Sequence, residues 1–272
     1  MGNSAGIVIR FTGDSGDGIQ VIGLELTITA AIAGREVRTL PDFPAEIRAP
    51  SGTVAGVSGF QLAMAEQAIF TAGESIDVLV ALNAAALKNA INYLNLGGLL
   101  LINADGFQTK DLQKASLSEN FLVDLQHQYQ VLSIPIISQT RAALAAINIT
   151  HSQAAKAKNF YVLGLVLWLF DLSIEHCQKF IQVKFKSSSV LATANERALL
   201  AGYNYGLTLD LSRRQFMVGK IERAAGEYRQ ITGVEAVGLA IATIATGTNT
   251  AVLVAGYPIT PASVILQECA KL

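Results

Sequence analysis

Cysteine is nearly missing from this chain: only Cys177 and Cys269 occur in 272 residues, far apart and in no CxxC spacing. That excludes a cysteine zinc site and an iron–sulfur ligand set from this stretch, and both thiols read as small buried hydrophobes. The three histidines, His127, His151 and His176, share no spacing that suits a metal ion or a nucleophile's partner, and they read as surface or core residues. No metal ligand is assigned. An excess of charge is lacking too, because 20 basic and 21 acidic residues nearly cancel. No uniform field therefore draws nucleic acid or an anionic membrane.

Uninterrupted apolar runs of membrane length are absent. Spanning a bilayer takes about 20 apolar residues, whereas the run Phe160–Leu172 is too short and contains Asp171, and the run Ala236–Ala255 is broken by Thr243, Thr246, Thr248, Asn249 and Thr250. Both read as buried elements of a protein that does not enter the membrane. The opening MGNSAGIVIRFTGD has no basic region followed by an apolar segment and a cleavage site, so no secretory signal is visible and a cytoplasmic, reducing location is expected.

What the chain does have is apolar mass, 51% of its residues, enough for one large domain and a remainder. Short β-rich runs at residues 7–12, 37–40, 54–62, 78–82, 99–103 and 130–136 are interleaved with helical patterns at 19–34 and 84–96. Continuous apolar strands alternating with helices predict an α/β fold with a mostly parallel, three-layer Rossmann-like sheet. Residues 152–185 and 190–205 then read as helices. A first domain over 1–210, a connector over 211–232 and a second region over 233–272 follow from this pattern. The second region holds a helix, a strand at Ala251–Ala255, a turn and the start of another helix. One βα unit has no sheet to join, so this α/β domain is expected to be incomplete and the chain truncated.

The loop Gly13-Asp14-Ser15-Gly16-Asp17-Gly18 lies between a strand and a helix, where backbone amides and a helix N-terminus hold anions. Yet GxGxxG is not matched, since Val21 stands where the third glycine belongs, and no GxxxxGK[ST] occurs. Asp14 and Asp17 would repel a pyrophosphate. Dinucleotide binding is disfavoured, and two readings stay open: a tight turn whose glycines permit positive φ, or a polar loop that meets a partner subunit or substrate through Ser15, Gly16 and Gly18.

Three further signals complete the picture. IVIRFTGDSGDGIQVIG (Ile7–Gly23), LPDFPAEIRAPSGTVAGVSGFQLA (Leu40–Ala63) and GYPITPASVILQE (Gly256–Glu268) together closely resemble, in that order, the alpha subunit of 2-oxoacid:acceptor (ferredoxin) oxidoreductases. In that family the gamma domain is fused ahead of a thiamine-pyrimidine domain of the pyruvate:ferredoxin oxidoreductase type. AKNFYVLGLVLW (Ala157–Trp168) is similar to the family as well. The resemblance covers nearly the whole chain, more weakly between Gln108 and Asn148. On this resemblance, residues 1–210 are the gamma domain and 233–272 the start of the pyrimidine domain.

The resemblance implies an oxidoreductase that decarboxylates a 2-oxoacid, of the 2-oxoglutarate or pyruvate class, and passes the acyl group to coenzyme A. Thiamine diphosphate would be shared with a beta subunit, which would hold the magnesium and the iron–sulfur cluster, and ferredoxin or flavodoxin would take the electrons. Tyr257-Pro258-Ile259-Thr260-Pro261 matches the family motif. Two prolines restrict the backbone around Thr260 and present its hydroxyl, either as an N-cap in a rigid turn or, by resemblance, as the catalytic contact to cofactor or oxoacid, with Tyr257 shaping the pocket. Arg48 either pairs with Glu46 or lines the approach of coenzyme A or the oxoacid as a guanidinium fork. Gly233-Val234-Glu235-Ala236 lacks the asparagine of the family's usual GNxA. The pyrimidine-contacting glutamate lies, in the family, beyond the sequence given, so this segment alone is expected to be inactive. The competing reading is a non-catalytic gamma-domain interaction module, or a truncated relic of such an enzyme.

Overall fold

The computed structural model describes residues 6–14, 16–43, 56–118, 120–209, 216–259 and 262–272. Six strands build one sheet: β1 (Gly6–Asp14), β2 (Glu36–Asp42), β3 (Val57–Ala65), β4 (Ile76–Ala81), β5 (Leu94–Asn103) and β6 (Gln130–Ile134), in the order β2-β3-β1-β4-β5-β6. β1, β4, β5 and β6 are parallel neighbours, while β3 runs antiparallel to both β1 and β2. The expected mostly parallel sheet is present. Its one reversed strand is β3, which pairs antiparallel with β1 and with β2.

Alternate residues of the central strands serve two cores. Ile9, Phe11, Val78, Val80, Leu99 and Leu101 point to one face, with Ile22 and Leu26 of α1 (Ile19–Ile32). Leu79, Ala81, Leu100 and Ile102 point to the other, with Leu87 of α2 (Ala84–Ala90), Leu112 of α3 (Thr109–Lys114) and Leu125 of α4 (Phe121–Gln126). Three layers result, each strand residue being buried on whichever side it faces. The helical stretch read at residues 84–96 is shorter than its pattern. It ends in a 3-10 turn, Ile91–Tyr93, and Leu94 already belongs to β5, paired with Ile76.

After β6 come α5 (Ile136–Ala143), α6 (His151–Leu169), α7 (Glu175–Lys184) and α8 (Ser189–Leu207). α6 starts at a capping box in which Thr150 and Gln153 satisfy each other's backbone N–H groups. Tyr161 to Leu169 are buried without interruption, which explains the unbroken apolar run: this helix is covered on all sides. Among the described residues no helix is long and apolar enough to cross a membrane. α6 and α8 approach closely because glycines face backbone. A Cβ at Gly202 would overlap the carbonyl of Tyr161, and one at Gly164 would overlap the carbonyl of Leu199.

The chain divides into two compact units, Met1–Arg223 and Ala224–Leu272. Part of the stretch read as a connector packs on the first unit. Phe216 is buried edge-on against Phe170, with ring centroids 6.1 Å apart, Ile221 N–H donates to Gly34 O, and Arg223 pairs with Glu36. The second unit contains α9 (Gly233–Thr248), opened by a Thr232–Glu235 capping box, and α10 (Ser263–Cys269). Gly238 lets α9 approach the side chains of Glu268 and Leu272. The strand expected at Ala251–Ala255 does not form. The described residues of the second unit contain no strand, and Leu253 is left 93% exposed.

Two outcomes test this architecture. Gly202→Ala places a methyl against an immovable backbone oxygen, and overpacking of that kind outweighs the roughly 1 kcal/mol that alanine adds to helix propensity. A net loss of about 2 kcal/mol in urea unfolding is expected. In hydrogen–deuterium exchange, the amides of Ala251–Ala255 should exchange without protection while those of β1 and β4 remain protected.

Candidate functional site

β1 and β4 lie side by side, but the helices that follow them cover opposite faces: Ile19 and Ile22 of α1 belong to one core, Ala84 and Leu87 of α2 to the other. Where connections part in this way, a crevice opens beyond the carboxyl ends of the strands, and ligands of open α/β sheets bind there. The glycine loop lies at that point. Gly16 (φ 102°) and Gly18 (φ 68°) adopt the left-handed region, which only glycine enters without strain. Gly18 sits at the N-cap of α1 in this conformation, and its carbonyl accepts from Val21 and Ile22. A Cβ there would also strike the Asn159 side chain.

The acidic residues of the loop are held by neighbours on three elements. Asp17 accepts from the Asp14 backbone N–H at 3.1 Å through Oδ2 and pairs through Oδ1 with Lys158 Nζ of α6 at 2.8 Å. Asn83, at the end of β4, uses both ends of its amide: Nδ2 donates to Asp14 Oδ1 at 2.8 Å, and Oδ1 accepts from Ala86 N–H at 2.9 Å to cap α2. Burial raises the Asp14 carboxyl above its ordinary value, and the charge of Asp17 adds to this. The Asn83 hydrogen bond and Lys158 work in the opposite direction.

The rim continues along the sheet. At the end of β5, Asn103 donates to Leu82 O at 3.2 Å and accepts from Ile136 N–H at 3.1 Å. Asp105 accepts from both the backbone N–H and the hydroxyl of Ser138. Two backbone N–H groups in the first turn of α5, those of Ile136 and Ser138, are thus already satisfied by side chains. On the other side of β1, Gln20 Nε2 donates to Asp42 O at 3.3 Å, Ser58 Oγ at 3.1 Å and Gly59 O at 2.8 Å. Gln20 therefore binds the end of β2 and the start of β3, the two strands between which Arg48 lies in sequence.

Of the residues singled out by sequence, Gly16 and Gly18 are on this rim. Ser15 and Arg48 lie outside the described residues, as do Thr260 and Pro261. Tyr257, Pro258 and Ile259 are in the second unit, exposed, with Ile259 N–H donating to Tyr257 O. No group of histidine, cysteine and acidic side chains suited to a metal ion occurs among the described residues. Cys177 is buried as anticipated, whereas Cys269 is only partly so.

A sequence profile of the pyruvate ferredoxin/flavodoxin oxidoreductase family matches residues 8–205. The chain belongs to this family. The 2-oxoglutarate oxidoreductase subunit KorA of Mycobacterium tuberculosis is 41% identical to it over 266 residues, covering 97% of this chain and 41% of the relative. Among solved structures, the 2-oxoglutarate:ferredoxin oxidoreductase of Magnetococcus marinus, with 2-oxoglutarate, coenzyme A and succinyl-CoA bound, superimposes with a TM-score of 0.72 at 23% identity, over 99% of this chain and 41% of that one. The gamma subunit of a keto/oxoacid ferredoxin oxidoreductase from Geobacter sulfurreducens matches with a TM-score of 0.53 at 20% identity, over 75% of this chain and 98% of that one. The chain spans about two fifths of the length of the first two relatives. At such identities the solved structures establish the fold.

Within this family fold, the residues that sequence reasoning passed over as ligand-facing groups are Asn83, Lys158 and Gln20. Each is a polar residue with no motif to mark it, and only the topology shows that it reaches the glycine loop or the strand ends beside it. Asn83→Ala removes the cap of α2 and the donor to Asp14. A loss of about 1 kcal/mol is expected from the cap. Because the lost hydrogen bond stabilised the ionised carboxyl, the Asp14 value moves further up. For a carboxyl raised above 3.8, the stabilising contribution is full below that value and disappears as the pH rises through the folded value. Urea unfolding should therefore show a larger Asn83→Ala penalty at neutral pH than at about pH 4.

Proposed function

We propose that this chain serves as an alpha-type subunit of a 2-oxoacid:ferredoxin oxidoreductase that carries out coenzyme A-dependent oxidative decarboxylation, with 2-oxoglutarate favoured over pyruvate. The observation that carries this reading is the 41% identity to a 2-oxoglutarate oxidoreductase subunit across 97% of the chain. A solved family-fold neighbour with 2-oxoglutarate and coenzyme A bound agrees with it.

The residues of the first unit suggest how coenzyme A would be met. Asp14 and Asp17 present carboxylates at the glycine loop, and Lys158 is already paired with Asp17. That is a poor seat for a phosphate but suits hydroxyl or amide groups. Arg48 lies in the segment whose flanking strands Gln20 binds beside the same loop, and a guanidinium there would take the phosphate or carboxylate end in a forked contact. Gly16, Gly18 and the neighbouring Ser15 then bound the loop side of the approach.

Thiamine diphosphate is a different case. In the second unit Tyr257, Pro258 and Ile259 are exposed. Thr260 and Tyr257 would contribute one wall of a site completed elsewhere, and no chemical step is assigned to them alone. A beta subunit supplying magnesium and an iron–sulfur cluster, with ferredoxin or flavodoxin as acceptor, is the partner set this reading requires.

The test is an assay of the complex that contains this chain. Reduction of ferredoxin that depends on both 2-oxoglutarate and coenzyme A is expected, and failure with 2-oxoglutarate and pyruvate alike would overturn the proposal. In the same complex, Arg48→Ala should raise the KM for coenzyme A or for the oxoacid about tenfold, the size of a lost charge-assisted hydrogen bond. Unchanged kinetics would remove Arg48 from the site.

A further inference from the structure

The most unusual group of titratable side chains lies away from the glycine loop, between α1 and α7. Glu25 of α1 is only 3% exposed in its side chain and contacts His176 Nε2 of α7 through Oε2 at 3.1 Å. One residue further along α7, Cys177 is fully buried, its thiol 3.5 Å from the Thr29 hydroxyl one turn further along α1. Thr29 in turn donates to Glu25 O. These polar contacts join α7 to α1, and a buried carboxylate is costly unless it is neutral or paired.

We propose that Glu25 and His176 form a proton-gated latch between α1 and α7, which holds while one proton is shared by the pair and loosens when that proton is lost. With the proton present, a neutral Glu25 carboxyl donates to Nε2 of a neutral imidazole. Once it is lost, Nε2–H must donate instead, and a full negative charge is left buried between two helices. The inference goes beyond the proposed oxidoreductase function and does not depend on it.

The surroundings agree with this division. Burial pushes Glu25 up to about 7, opposed by Lys184, and burial pushes His176 down, with Lys179 adding to the effect. Cys177 is raised to about 11, chiefly by burial. From α8, Glu196 is occupied by Gln178 Nε2 at 3.1 Å and Gln182 Nε2 at 2.9 Å. The sheet side of α1 faces Phe11, Phe60, Leu62 and Met64, which are apolar. Arg35, beyond the end of α1, is turned to Phe170 O.

The sign of the pH dependence follows. An ordinary glutamate value is 4.5, so the contribution of Glu25 to stability is full below that value. It is lost as the pH rises and is gone above about 7. The depressed His176 value acts in the opposite sense, its contribution being present above 6.5 and lost as the pH falls. A decline in helix attachment as the pH rises therefore belongs to Glu25.

Cys177 reports the opening directly, because it is buried until α7 leaves α1. In the full chain carrying Cys269→Ser, labelling of Cys177 by a thiol reagent is compared between the otherwise native protein and Glu25→Gln, which imitates the protonated carboxyl. The ratio of the two rates cancels the pH dependence of the thiolate itself. Between about pH 5.5 and about pH 8 this ratio should rise about tenfold, and a constant ratio would overturn the latch. A second reading needs no variant: the His176 ring nitrogen Nε2, followed by NMR, should change from acceptor to donor near neutral pH. An imidazole that titrates freely near its ordinary value would count against the proposal in the same way.

Discussion

The structure is organised by the position of β1, which is paired on both edges and buries Ile7, Ile9 and Phe11 on one face while Val8, Arg10 and Asp14 on the other are only partly covered. It lies antiparallel to β3 and parallel to β4, so it is the place where the sheet changes character. Helices that leave β1 and β4 are sent to opposite layers. Polar residues gather beyond the strand ends. Asp14, Asn83 and Gln20 are each tied to backbone or to one another, so the rim is held rigid by the same strands that create it.

That rigidity has an electrostatic character. A glycine-rich turn at a helix start usually favours anions through its amides and dipole. Here two carboxylates occupy the loop, and its nearest cation is neutralised by one of them. The left-handed glycines and helix start are of the kind that can favour an anion, while the charge is not.

Much of this could be read from the sequence, for identifiable reasons. Apolar runs such as residues 78–82 and 99–103 can be placed only in a doubly covered sheet, and the glycines of the loop announce left-handed backbone. The short motifs were specific enough to point to the family. What escaped were effects that need the third dimension. The pattern of Ala84 to Leu96 is helical throughout, but pairing with β4 takes Leu94 into a strand. Ala251–Ala255 has every strand preference and no neighbouring strand, so propensity is overruled by the lack of a partner. His176 read as an ordinary residue because its relation to Glu25 spans 151 positions. Asn83 was invisible because an amide at the end of an apolar run has many uses, and only its distance to Asp14 selects one.

Strand β2 closes one side of the sheet, with its outer hydrogen-bonding groups unmatched by any described strand. Unpaired edges of this kind invite other chains to add themselves. Pro41 removes one donor from that edge, and Arg38 and Asp42 place charge along it, each already engaged in an ion pair within the fold. An incoming strand would have to break those pairs and accept an incomplete ladder. The exposed Leu40 between them is thus tolerated without making the strand a template for aggregation, and sheet growth ends at β2.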